Sequence, residues 1–183
     1  MIVPENPYKK GEMLPTERKA LFSWVSDAMP SLVLEVGTNG GEGSTFYISN
    51  ALKFDAKMIT CDVRGGCHDY PNLIFVRKPS TTVIKEMIKE GNIPDFIFFD
   101  GPEDPNVALQ DIKLLEPHLK KGETYFAMHD WYGGVRCYDG YTSTKAALIR
   151  PYMEESSNWI LKAELRGDVP EDDSVGLVLY QYA

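Results

Sequence analysis

The chain predicts an α/β fold, an open doubly wound sheet of seven strands, mostly parallel with an antiparallel last strand. Three observations carry that reading. Apolar runs of strand length alternate with helix-period segments at the spacing of βα units. Acidic residues close four of the strand-like runs, at Glu35, Asp62, Asp100 and Asp130. The last two strand-like runs have no helix between them. The 183 residues suit one domain spanning the whole chain, with residues 1–13 as an N-terminal arm and residues 131–141 as a substrate loop.

A helix comes first. Thr16 is placed to cap it, and Ala20, Leu21, Trp24, Val25, Ala28 and Met29 recur on one face until Pro30 stops it. The first strand is Leu32 to Val36, followed by a helix from about Ser44 to Lys53. Strand two is Met58 to Asp62 and strand three Leu73 to Val76. Pro79-Ser80 opens a helix that ends near Gly91, and Pro94 to Asp100 supplies strand four. Asp104-Pro105 reads as a cap followed by proline in the first turn, and that helix carries Val107, Ala108, Ile112 and Leu115 before Pro117.

Gly122 leads into strand five, Thr124 to Met128, ending at His129-Asp130. The segment Trp131 to Tyr141 is rich in aromatics and glycine, which suits a substrate wall or a closing lid, with Arg136 a candidate grip for an anionic group. A helix from about Thr142 contains Pro151, and Trp159 to Glu164 and Val175 to Tyr182 are the closing strands. Their connection, Leu165 to Ser174, is too short for a parallel crossover, so the last strand runs antiparallel to its neighbour.

A formal net charge of -8 opposes nucleic-acid binding through phosphate contacts and favours a small-molecule partner. Apolar runs are strand-sized, far short of a membrane span. Cys61, Cys67 and Cys137 are odd in number and form no C-x-x-C pair, and the N-terminus lacks the apolar core of a signal peptide. Reduced thiols and a cytoplasmic location are expected. Cys67-His68 has no partner pair that would complete a zinc site.

The chemistry should sit at the carboxyl ends of the strands. The run Glu35-Val36-Gly37-Thr38-Asn39-Gly40-Gly41-Glu42-Gly43-Ser44 is a strand breaking into a glycine-rich turn and then a helix. Such a turn lets the backbone approach a ligand, while the helix start offers free N–H groups. Glu35 repels phosphate but accepts hydrogen bonds or pairs with a cation, which favours a nucleoside with a positive tail. Asp62, 25 residues beyond Gly37, suits a bidentate grip on ribose hydroxyls. The G-x-G-x-x-G spacing of dinucleotide enzymes is absent, which lowers the standing of an NAD-linked oxidoreductase.

Taken in order, Glu35-x-Gly37-x-x-x-Gly41, Asp62, Phe98-Phe99-Asp100-Gly101 and His129-Asp130-Trp131 resemble the class I S-adenosylmethionine (SAM)-dependent methyltransferases, with their Rossmann-like sheet. More narrowly, they are similar to the small O-methyltransferases related to catechol O-methyltransferase and to the sugar and macrolide methyltransferase and cephalosporin-hydroxylase-like group. The resemblance implies that Glu35 and the loop residues Gly37, Thr38, Asn39, Gly41, Gly43 and Ser44 hold the methionine part, Asp62 the ribose and Ser80 the adenine. It places Asp100 near the sulfonium. In metal-dependent relatives the matching acids, here Asp100 and Asp130, would ligate Mg2+ or another divalent cation. Trp131 stands where such relatives often carry Asp or Asn, which weighs against octahedral magnesium. His129 is then a candidate base for the acceptor hydroxyl, a ligand for a softer ion, or a support for Asp130. The expected activity is O-methylation of a small molecule, with His129 and Asp130 as catalytic residues and a homodimer over the active-site face admissible. The rival from another class is a SAM-binding module without turnover.

Overall fold

The computed structural model describes residues 2–8, 13–132, 144–165 and 176–183. Helix α1 (Pro15–Ala28) precedes β1 (Leu32–Val36), α2 (Ser44–Ala51), β2 (Lys57–Cys61), β3 (Leu73–Val76), α3 (Ser80–Glu90) and β4 (Phe96–Phe99). Then come α4 (Pro105–Leu115) with a short 3-10 turn, β5 (Tyr125–His129), α5 (Ala146–Glu155), β6 (Trp159–Leu165) and β7 (Leu177–Tyr182). The sheet order is β3-β2-β1-β4-β5-β7-β6. The pairs among β1 to β5 are parallel, and β7 runs antiparallel to both β5 and β6. The expected seven strands and antiparallel closing strand are both present.

Strand parity divides the core. Leu34, Val36, Ile97 and Phe99 face α3, α4 and α5, whose Ile84, Ile112 and Ile149 are fully buried against them. Val33, Phe96 and Phe98 face the opposite way, toward Leu21 and Val25 of α1 and Ile48 of α2. A side chain changes face with every residue along a strand, so Glu35, between Leu34 and Val36, is turned onto the α1/α2 face. The order of strands reverses between β1 and β4, and a crevice at that point is where such sheets bind ligands.

Three local expectations are corrected. Thr16 does not cap α1: the helix begins one residue earlier, and the Glu17 carboxylate accepts the N–H of the cap residue Leu14 at 2.8 Å. Trp131 is no substrate wall, because it is 1% exposed and packs against Tyr180 with ring centroids 5.6 Å apart. The α5 helix begins at Ala146 and takes Pro151 into its interior. Residues 133–141 of the expected lid, including Arg136 and Cys137, and most of the β6–β7 connection lie outside the described residues. Among the described residues no helix is long and apolar enough to cross a membrane.

Candidate functional site

The four predicted acids crown four strands that are contiguous in the sheet: Asp62 after β2, Glu35 in β1, Asp100 after β4 and Asp130 after β5. Between the first two lies the glycine turn. Gly37 has φ +95, and a Cβ there would stand 2.6 Å from the carbonyl oxygen of Asp100, so only glycine lets β1 and β4 exit this close together. At the crest of the turn, Gly40 has φ +81 and open space where a side chain would project.

Glu35 is fully buried beneath the turn. Its Oε1 accepts the Ser44 hydroxyl, and Oε2 accepts those of Thr45 and Thr60, each at 2.6 Å. Thr60 has one proton to give and spends it on Glu35, so the 2.6 Å contact between Thr38 and Thr60 has Thr38 as donor. Burial pushes the Glu35 carboxyl up to about 7, against the pull of the three hydroxyls. The Glu35 oxygens are thereby taken up by Ser44, Thr45 and Thr60 beneath the turn.

Asp62 braces the same turn from β2. Its Oδ2 accepts the backbone N–H groups of Thr38 and Asn39 at 3.1 Å, and Oδ1 accepts that of Arg64. The loop after β2 adds a bridge between Gly40 and Cys67, and the Tyr70 hydroxyl donates to the Gly41 carbonyl. From the N-terminal arm, the Asn6 amide donates to the Glu42 carbonyl, and Tyr8 stacks on His68. Gly43 caps α2. Ser80, the first residue of α3, donates its hydroxyl to Asp111 of α4, as Thr81 does at 2.5 Å. Ser80 is thereby held at the end of β3, on the same sheet edge as Asp62.

On the other side of Gly37 the carboxylates meet cations. Lys145, the residue before α5, is 1% exposed, and its ammonium lies 2.6 Å from Asp100 and 2.5 Å from Asp130. His129 Nδ1 lies 3.4 Å from Asp100 and 3.3 Å from Asp130, and its Nε2 is 3.1 Å from Glu17. Burial alone would raise Asp100 and lower His129. The opposite charges outweigh it, holding Asp100 well below the usual carboxylate range and raising His129 to about 10. Lys145 is likewise raised, burial being outweighed by Asp100 and Asp130. The carboxylates on both sides of the ring thus favour the imidazolium form of His129 over the free base.

Asp100, His129 and Asp130 offer ligand atoms within 4.8 Å of one another, close enough for one ion. The group does not fit a divalent cation as it stands, because the Lys145 ammonium bridges the two carboxylates that would ligate it.

Comparison with known proteins places the architecture. The O-methyltransferase from Bacillus cereus, solved in complex with SAH, superposes with a TM-score of 0.72 at 15% identity, covering 99% of this chain and 84% of that one. The O-methyltransferase TomG from Streptomyces achromogenes, solved with SAM, gives 0.69 at 14% identity over 93% and 81%. The chain has the class I methyltransferase fold. Rhamnosyl O-methyltransferases of Mycobacterium tuberculosis and Mycobacterium bovis are 29% identical over 147 residues, and the chain spans 60% of their length. No protein-family model matches.

Within this methyltransferase fold, Lys145 and Glu17 are the participants that the sequence reading missed. Lys145 falls inside the helix expected from about Thr142, where a lysine is unremarkable, and only the observed start of α5 at Ala146 sets it at the helix end. Glu17 stands 112 positions from its histidine, and nothing local marks it.

Proposed function

We propose that this chain is a SAM-dependent O-methyltransferase acting on a small-molecule hydroxyl. The observation that carries the reading is the glycine turn at the β1–β4 reversal point, flanked by Asp62 on one side and Asp100 and Asp130 on the other. Its relatives by sequence and by fold, named as O-methyltransferases, support it. The backbone of Thr38 to Gly41 would receive the methionine end, Asp62 the ribose hydroxyls and Ser80 the adenine edge. Bound SAM supplies an electrophilic methyl group.

The methyl group would pass to the acceptor oxygen by displacement, the electron pair of the broken carbon–sulfur bond remaining on the departing thioether. The hydroxyl proton passes to a carboxylate. Asp130 takes that part, since His129 and Lys145 lie among carboxylates that favour their protonated forms. Alignment of donor and acceptor and exclusion of water would supply most of the rate.

Isothermal titration with SAM and SAH is the direct test. Stoichiometric binding by the wild type, weakened by Asp62→Ala and by Gly37→Arg, is expected. Absence of binding by the folded wild type removes the proposal. Binding without turnover of any hydroxyl acceptor would instead favour a SAM-binding module.

A further inference from the structure

We infer that Lys145 is the resident cation of this site, standing where a divalent metal would otherwise join Asp100 and Asp130, so that the site works without a divalent ion. The inference deepens the methyltransferase reading and rests on it, but its Mn2+ titrations do not depend on it.

Three observations converge. The first is position. The Lys145 ammonium contacts one oxygen of each carboxylate at 2.6 and 2.5 Å, and Glu103 adds a third at 3.8 Å. Asp100 and Asp130 follow adjacent parallel strands, so a single cation between them neutralises both. An ion and an ammonium cannot share that volume.

The second is cost. Lysine is almost never fully buried unless paired, and here only 1% of its side chain is exposed. It also precedes the first turn of α5, the end of a helix that repels positive charge. Both penalties are offset by Asp100 and Asp130, with Glu103 farther off, which marks the contact as the reason for the placement.

The third is His129. Its Nδ1 faces Asp100 and Asp130, and its Nε2 faces Glu17, so carboxylates occupy both sides of the ring. A ring with carboxylates against both nitrogens has neither one turned to an open metal position. Asp130 is itself in the left-handed backbone region, φ +57, a strained setting that aims its side chain back at Lys145. Oxygen-preferring ions need six or more ligands at short range. Replacing Lys145 would open a position bounded by two free carboxylates.

The test is Mn2+ titration of the apo protein followed by electron paramagnetic resonance. The wild type and Lys145→Arg should take up no stoichiometric Mn2+, and EDTA should leave wild-type SAH affinity unchanged. Lys145→Met should bind one Mn2+ at least roughly 100-fold more tightly than the wild type, since a unit positive charge beside the ion is gone. Adding Asp130→Asn to that variant should abolish the gain.

One equivalent of Mn2+ on the wild type, lost with Asp130→Asn, overturns the inference. So does a Lys145→Met protein that melts cooperatively yet gains no affinity for Mn2+. Should Lys145→Met fail to fold, the wild-type and Lys145→Arg titrations decide alone. A wild type that excludes Mn2+ but also fails to bind SAM or SAH sinks the methyltransferase reading and leaves this one standing.

Discussion

The β1–β2 side of the strand-end crown and the β4–β5 side hold their carboxylates with opposite kinds of partner. Among the described residues, Glu35 and Asp62 are bonded by neutral donors, three hydroxyls for one and three backbone N–H groups for the other. Asp100 and Asp130 are held by an ammonium and an imidazolium. Dipoles alone leave buried Glu35 at about 7, while full charges drive Asp100 in the other direction. A strand-end acid therefore has no fixed role. On one side it shapes the backbone turn that a ligand would touch, and on the other it fixes the charge of a pocket.

Removing the cation should show the contrast most strongly. Lys145→Ala leaves two carboxylates facing each other and should cost about 3–5 kcal/mol in urea unfolding, as other broken buried pairs do. Much of that loss should return when Asp130→Asn is added. A cost below about 1 kcal/mol, typical of surface pairs, would erase the distinction between the two sides.

The neutral side has its own signature in pH. Glu35 has a folded pKa of about 7 above an ordinary value of 4.5. Its stabilising contribution is thus fully present below pH 4.5 and lost as pH rises through about 7. Glu35→Gln should flatten that decline, worth about 3 kcal/mol, in chemical denaturation series across the window.

Gly37→Ala should destabilise by about 2 kcal/mol through positive φ and the contact with Asp100, with SAH affinity falling alongside. Gly40→Ala, which meets no neighbouring atom, should cost only about 1 kcal/mol. Equal losses would mean that the turn's geometry is not set by β4. The smallest effect is a null one on the charged side. His129 should keep its imidazolium NMR shifts from pH 6 to 8 and lose them as pH rises through about 10. Its stabilising contribution follows the same course, present in full below the ordinary value of 6.5 and lost through about 10. Titration near 6.5 would show that the carboxylates do not hold it.

The sheet was legible because its signals are local. Pro30, Gly91 and Pro94 punctuate the elements, and β4 reads as four consecutive apolar residues because both faces are covered. The positions of Glu35, Asp62, Asp100 and Asp130 followed from the strand ends. What they bind did not, since hydroxyls at Ser44, Thr45 and Thr60 and an ammonium at Lys145 look like ordinary helix and strand residues until the chain is folded. Trp131 was misread for a related reason: it opens an aromatic run in the sequence, but its side chain is packed into the core against Tyr180.

The Glu17–His129 contact ties the segment ahead of the first strand to the far end of β5. A fragment starting at Leu32 would keep every strand and all four crowning acids. It would still lose the wall behind the imidazole, leaving that ring wet on one side and free to turn. Shortening the chain from its front is therefore an operation on the carboxylate cluster at the strand ends, even though no described residue upstream of residue 30 lies in the sheet.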